Sequence, residues 1–233
     1  CLAPLKNTIA EEFRVGLPKF NQSDSSQYFV FIYPFIFEEI ERLTGVKFIF
    51  DYYTPAQTQQ SFIDGKIDIV PGLNPVWRAN SPVESVYSIP YHSTTTILLH
   101  RKGHKFDVSN IENFKGKVLA VVKGYTYPKL ENNIKNKRIE TLEVKDQETL
   151  LNKLVQGDVD HILINHYFAM YWLSQRDMLD EFEFGTIISK VGLMMRFNMR
   201  KKHAVKRMNI AIKQLVDSGR IEEIYKPMDR KIN

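Results

Sequence analysis

Cysteine is almost absent from this chain of 233 residues: the single copy stands at position 1. A lone cysteine forms no internal disulfide, so the fold must rest on its apolar core, and a core of this size needs no staple. Long apolar runs are missing as well. The longest, Tyr28 to Phe37, is interrupted by Pro34 and followed by Glu38 and Glu39, well short of the roughly 20 residues of a membrane span. Nor does one charge dominate. Lys and Arg total 32 against 27 Asp and Glu, a formal charge of +5, and the basic residues are interleaved with acidic ones over most of the chain. The densest basic run, Arg196 to Arg207, reads as a solvated helix face, so nucleic acid is not an expected partner. There is no G-x-S-x-G, no P-loop and no Cys-His pairing. Of the six histidines, His100 and His104 are four apart, but on a strand and a turn, where they do not share a face as zinc ligands on a helix do. No metal, cofactor or catalytic residue is therefore expected.

What is present is a repeated α/β pattern. Phe13 to Leu17 reads as a buried strand, and a polar loop follows over Asn21 to Gln27. A helix from about Tyr33 to Thr44 carries Ile36, Ile40 and Leu43 at helical spacing and ends at Gly45. Val46 to Phe50 is a second strand. Thr54 then Pro55 is an N-cap followed by proline at the first helical position, and that helix stops at Gly65. Ile67 to Val70 is a third strand. The βαβαβ order then returns: strand Lys117 to Val122, helix Tyr127 to Asn136, strand Ile139 to Val144, a helix capped by Asp146 and closed by Gly157, strand Val159 to Ile164, and an aromatic helix from His166 to Gln175. In each half the second helix passes to the third strand through Gly-x-x-Asp, at Gly65 to Asp68 and Gly157 to Asp160. Between the halves, Tyr87 to Lys102 reads as one long strand. A second, Ile187 to Met199, follows the second half, and helices Ala204 to Asp217 and Ile221 to about Tyr225 end the pattern. Such crossovers build parallel sheets covered by helices. Two long strands joining two such units predict a chain that leaves one lobe, builds the other and returns, with the ligand cleft between them.

The order of motifs resembles the extracytoplasmic solute-binding proteins of family 3, the amino-acid-type receptors of bacterial ABC importers. The residues that carry the resemblance are Arg14-Val15-Gly16, Phe37-Glu38-Glu39-Ile40, Gly65 to Val70, Tyr87-Ser88-Ile89-Pro90-Tyr91, Phe114 to Val118, Gly124-Tyr125-Thr126, Gly157 to Asp160 and Asp217 to Tyr225. The resemblance implies a two-lobe, type II periplasmic-binding (Venus flytrap) fold. Each lobe is a mainly parallel sheet flanked by helices, and two hinge strands join them. It implies lobe 1 over residues 1–93 and 193–233 and lobe 2 over residues 94–192. It also implies a monomeric, periplasmic or otherwise extracytoplasmic receptor, not an enzyme, that closes on a small polar amino-acid-like solute and hands it to an ABC permease. Alternatives on the same fold are the sensor domain of a signalling receptor and a dehydratase-like enzyme. In an exported receptor Cys1 becomes a candidate lipid anchor; otherwise it marks only where the chain begins.

Carried onto this sequence, the resemblance implies a site but alters it. Thr126, two residues past Gly124, matches a hydroxyl donor; its structural alternative is a helix cap. The family's carboxylate-binding arginine falls near Ala79 counting forward from Gly72 and near Ser81 counting back from Tyr91. Arg78 is the only arginine nearby, either reaching the cleft through a loop remodelled at Pro75 and Pro82 or lying exposed. Arginine suits a carboxylate because its planar fork engages both oxygens. The family's ammonium-binding acid is replaced by Asn165, which lends no charge and alternatively caps the helix at His166. Gly72 and Asn74 are further candidates, the latter as a polar contact. Phe20, Tyr53 and Tyr125 are candidate aromatic walls, Tyr53 being alternatively core or surface, and Trp77 either covers the cleft or packs the loop.

Overall fold

A computed structural model describes residues 10–19 and 27–229. Strands β1 (Glu12–Pro18), β2 (Lys47–Tyr53) and β3 (Ile69–Leu73) alternate with helices α1 (Gln27–Thr44) and α2 (Pro55–Ile63). β4 (Ser85–Tyr87) and β5 (His92–Arg101) follow. The second half is β6 (Val118–Val122), α3 (Glu131–Lys135), β7 (Glu140–Val144), α4 (Gln147–Gln156), β8 (His161–Asn165) and α5 (His166–Ser174). β9 (Phe182–Asn198), α6 (Val205–Asp217) and α7 (Arg220–Asp229) complete the described chain.

The strand order is β2-β1-β3-β9-β5-β8-β6-β7, with β4 also on β9. β1 lies parallel between β2 and β3, and β6 lies parallel between β7 and β8. Each parallel trio is closed by an antiparallel strand, β9 on β3 and β5 on β8. β5 and β9 then pair antiparallel with each other, from His92 with Leu193 to Arg101 with Phe182. Beyond Leu193, β9 leaves β5 and pairs with β3 and β4. Two strands thus carry the chain between two α/β lobes, as the motif order implies.

Each lobe has its own core. Phe13, Val15, Ile36, Phe37, Ile40, Met195 and Phe197 pack with Met208, Ile212 and Leu215 of α6. Leu150, Leu151, Leu154, Ile162, Ile164, Phe168 and Trp172 form a core of the second lobe, and Leu98, Leu119, Val121 and Leu163 occupy the other face of its sheet. Full burial of side chains this size is worth about 1.5–3 kcal/mol each.

Local signals hold where expected. Thr54 makes a full capping box with Gln57, Asp146 accepts the Thr149 N–H at 2.8 Å, and Gly157 ends α4 in the left-handed region. Several expected bounds shift, and β9 for one starts at Phe182 rather than Ile187. α1 starts at Gln27 rather than Tyr33 and contains Pro34. α3 is shorter than Tyr127 to Asn136, because Pro128 disfavours a helical Tyr127, whose carbonyl instead accepts the Leu130 and Glu131 N–H groups. The strand expected over Tyr87 to Lys102 is broken at Pro90, which has no N–H to give; Ser88 and Tyr91 still bond to β9 on either side of it. β3 and β8 begin after, not before, the Asp of each Gly-x-x-Asp turn.

Those aspartates explain the turns. Asp68 is buried, accepts the Arg14 N–H at 2.9 Å, and holds the Arg200 guanidinium at 2.7 and 3.0 Å. A side chain at Gly65 would strike that same guanidinium, its Cβ standing only 2.7 Å from Nη1. In the second lobe Arg101 takes the matching place, 3.6 Å from Asp160 and 2.8 Å from where a Gly157 Cβ would stand. Each Gly-x-x-Asp turn thus wraps an arginine, Arg101 at the end of β5 and Arg200 just past the end of β9.

Candidate functional site

A cavity of about 240 Å³ lies between the lobes. Its floor on one side is the β3 end, where Gly72 donates its N–H to the Tyr91 hydroxyl at 2.8 Å. A side chain at Gly72 would collide with the Tyr33 hydroxyl, so glycine is required for the two to meet. Desolvation pushes the Tyr33 and Tyr91 phenols well above their usual range, so both are neutral.

Asn74 accepts the Val76 N–H at 3.1 Å and so opens a short 3-10 helix, Pro75–Arg78. This turn presents Arg78 to the cavity. Its Nη1 donates to the Trp77 carbonyl at 2.8 Å and its Nη2 faces the Gly124 carbonyl of the other lobe at 3.5 Å. Its Nε is buried without a partner, and no carboxylate pairs with it among the described residues. Desolvation lowers its pKa from the ordinary guanidinium value.

The opposite wall comes from the second lobe. Gly124, in the turn after β6, has φ +88°, and a Cβ there would lie 2.8 Å from the Ala56 nitrogen at the start of α2. The lobes therefore touch, backbone on backbone, at the cavity's edge. Tyr125 and Thr126 follow on the wall. Tyr125 keeps 42% of its surface open, is hydrogen-bonded to Gln147, and has its phenol pushed up to about 12 by burial.

The candidates from sequence divide. Gly72, Arg78, Tyr125, Thr126 and Asn165 all stand on the wall, as does Trp77. Asn74 does not: it is buried, with its amide donating to the Gly192 carbonyl at 2.8 Å, so its polarity is spent on the loop and hinge. Tyr53 does not either: it packs on the Phe62, Ile67 and Val70 cluster at the end of β2. Asn165 reaches the wall, but its Oδ1 caps α5 through the Phe168 N–H at 2.9 Å and its Nδ2 donates to Thr94 Oγ1 at 2.5 Å. Phe20 and Cys1 lie outside the described residues.

One wall residue carries no clear signal in the sequence. Arg196, on β9, is 1% exposed. It donates to Ser85 Oγ at 2.8 Å and Ser81 Oγ at 2.7 Å and lies 3.9 Å over the Phe62 ring. It too has no carboxylate partner among the described residues, and desolvation brings its pKa down to about 10. Its place in the basic run, the one signal there is, reads as a surface.

No His, Cys, Asp and Glu grouping among the described residues could hold a metal ion. No helix among them is long and apolar enough to cross a membrane.

The architecture is the two-lobe fold of solute-binding proteins. A mutant of the arginine-binding protein ArgBP from T. maritima superposes with a TM-score of 0.75 at 17% identity, over 94% of this chain and 95% of that one. A substrate-binding protein of an ABC uptake transporter from Streptococcus pneumoniae, with bound histidine, gives 0.73 at 16% identity over 93% and 92%. The GluR0 ligand-binding core from Nostoc punctiforme, in complex with L-glutamate, gives 0.72 at 16% identity over 93% and 98%. These neighbours are binding proteins. No family model matches the sequence, and no curated protein matches it.

Proposed function

We propose that this protein is the extracytoplasmic solute-binding receptor of an ABC importer, closing on a small polar, amino-acid-like solute. The observation that carries the reading is Arg78. Its guanidinium faces the interlobe cavity with a buried, unpartnered Nε and no carboxylate partner among the described residues. A cation kept in that state is suited to an arriving anionic group, and Thr126 stands on the facing wall to add a hydroxyl. The similarity to amino-acid-binding ABC transporter proteins supports the same reading. In it the lobes are residues 1–93 with 193–233 and residues 94–192, the receptor is a monomer, no reaction is catalysed, the partner is a membrane permease, and Cys1 is the candidate anchor. Binding shifts an open–closed equilibrium, because closure adds second-lobe contacts.

Thermal unfolding against a panel of amino acids, organic acids and small amines tests it. A solute at 100 times its dissociation constant should add about 2.7 kcal/mol, and Trp77, on the wall, should change its fluorescence. A panel with no shift removes the receptor role. The sensor-domain reading shares the same site, and the similarity to the GluR0 core favours keeping it; copurification with an ABC permease rather than with a signalling partner separates the two. Turnover of prephenate or arogenate would instead revive the dehydratase reading.

A further inference from the structure

Two arginines and Lys19 bring positive charge to the cavity wall, and the two acids on it, Asp146 and Glu148, have partners within the protein. Arg78 and Arg196 both line it without a carboxylate partner among the described residues, and each guanidinium lies within range of the other's charge. Asp146 is on the wall, but its Oδ1 takes both the N–H and the hydroxyl of Thr149, at 2.8 and 2.6 Å, and its Oδ2 lies 4.0 Å from Lys145. Glu148 is itself engaged within the protein. The Asn165 amide is consumed by the Phe168 N–H and Thr94. Much of the remaining wall is carbon, from Pro71, Tyr125, Leu163, Tyr167 and Phe168. A guanidinium withdrawn from water with no counter-charge is costly, and an anion brought to it is held strongly. An ammonium in the same cavity meets these like charges, and the wall's two carboxylates, Asp146 and Glu148, already have partners within the protein.

We propose that the solute is a carboxylate with an apolar or aromatic body and no free ammonium: an oxo, hydroxy or des-amino acid rather than a zwitterionic amino acid. The proposal rests on the receptor reading above. The carboxylate engages the Arg78 guanidinium on the cavity wall, Arg196 stands behind it as a second, fixed positive charge, and the body packs on the aromatic wall.

Titration calorimetry on the intact chain with matched pairs tests this: phenylalanine against phenylpyruvate and 3-phenylpropionate, and leucine against 4-methyl-2-oxopentanoate. The expected result is that at least one amine-free acid binds ten-fold or more tightly than its amino acid. Arg78→Gln, shown to be folded by circular dichroism, should weaken that acid at least ten-fold. If the amino acid is the tighter member of every pair that binds, or only amines and neutral solutes bind, the proposal is overturned while the receptor reading stands. If no member of the pairs or of the wider panel binds, both fall.

Discussion

The Gly124 carbonyl of the second lobe faces the Arg78 guanidinium of the first at 3.5 Å, on a residue whose α-carbon packs against the start of α2. One glycine therefore serves two purposes: it lets the lobes close, and it brings a backbone acceptor to the site's cation. Gly124→Ala should disturb both. The new methyl group would stand 2.8 Å from the Ala56 nitrogen and 2.9 Å from its α-carbon, atoms that cannot turn aside. The positive φ adds strain of about 1 kcal/mol. The expected outcome is a melting temperature lowered by a few degrees and solute affinity reduced about ten-fold or more. Small-angle scattering should show a larger radius of gyration with ligand than the parent chain has. Unchanged affinity would mean that closure does not bring these atoms together.

The two Gly-x-x-Asp turns are alike in sequence and unlike in energy. Asp68 is buried and receives three hydrogen bonds, from the Arg14 backbone and from Arg200. Asp160 is 39% exposed at its side chain, with Arg101 at 3.6 Å and His104 at 3.3 Å. Removing a buried acceptor leaves its donors unpaired, whereas exposed pairs contribute little. Asp68→Ala should cost about 2–4 kcal/mol and Asp160→Ala less than about 1 kcal/mol, read from urea denaturation midpoints. Equal losses would show that the arginine clamp matters equally in both lobes.

Acid should weaken the second lobe through a histidine pair. His100 Nδ1 and His161 Nδ1 lie 3.0 Å apart, both rings nearly fully buried, and a hydrogen bond between them requires at least one neutral imidazole. Desolvation and the charge of His161 pull His100 down to about 4, and desolvation lowers His161 as well; Lys105, Lys117 and His104 act in the same direction, while Glu183 and Asp160 oppose them. The folded pKa lies below the unfolded value of about 6.5, so the unfolded chain binds the extra proton. Stability is then full above about pH 6.5 and falls as pH drops towards 4, by up to about 1.4 kcal/mol per pH unit for each proton taken up. Denaturation midpoints at pH 7, 5.5 and 4.5 check this. Replacing both histidines (H100Q with H161Q) should flatten the part of the profile due to them.

What can be read from the sequence is what the chain fixes locally. The Thr54 and Asp146 caps, the Gly157 stop and the βαβαβ rhythm depend on residues a few positions apart, and the structure reproduces them. Pro90 is legible as a proline but not as a break, because β9 supplies the bonds that keep its flanks in place. Arg196 is hidden because its burial is made by Ser81, Ser85 and Phe62, more than a hundred residues upstream. Arg78 depends on the remodelled loop, which no spacing rule fixes. Asn165 is legible as either a cap or a ligand contact, and only the Thr94 and Phe168 distances show both arms occupied.

Asn165 also offers a way to change specificity without disturbing the fold. Aspartate caps helices about as well as asparagine, so Asn165→Asp can keep the Phe168 N–H bond, and its second oxygen can accept the Thr94 hydroxyl that now receives the amide at 2.5 Å. The substitution places a negative charge on the cavity wall opposite two unpaired guanidiniums. Stability should change by less than about 1 kcal/mol, a cap being worth about that in total. Affinity should fall for amine-free acids and rise for their amino-acid counterparts, reversing the order within at least one matched pair, because an ammonium then has a charge-assisted acceptor. Calorimetry of phenylalanine and phenylpyruvate on parent and variant reads the reversal directly. If both solutes weaken in parallel, the position does not face the part of the ligand where the amine would lie.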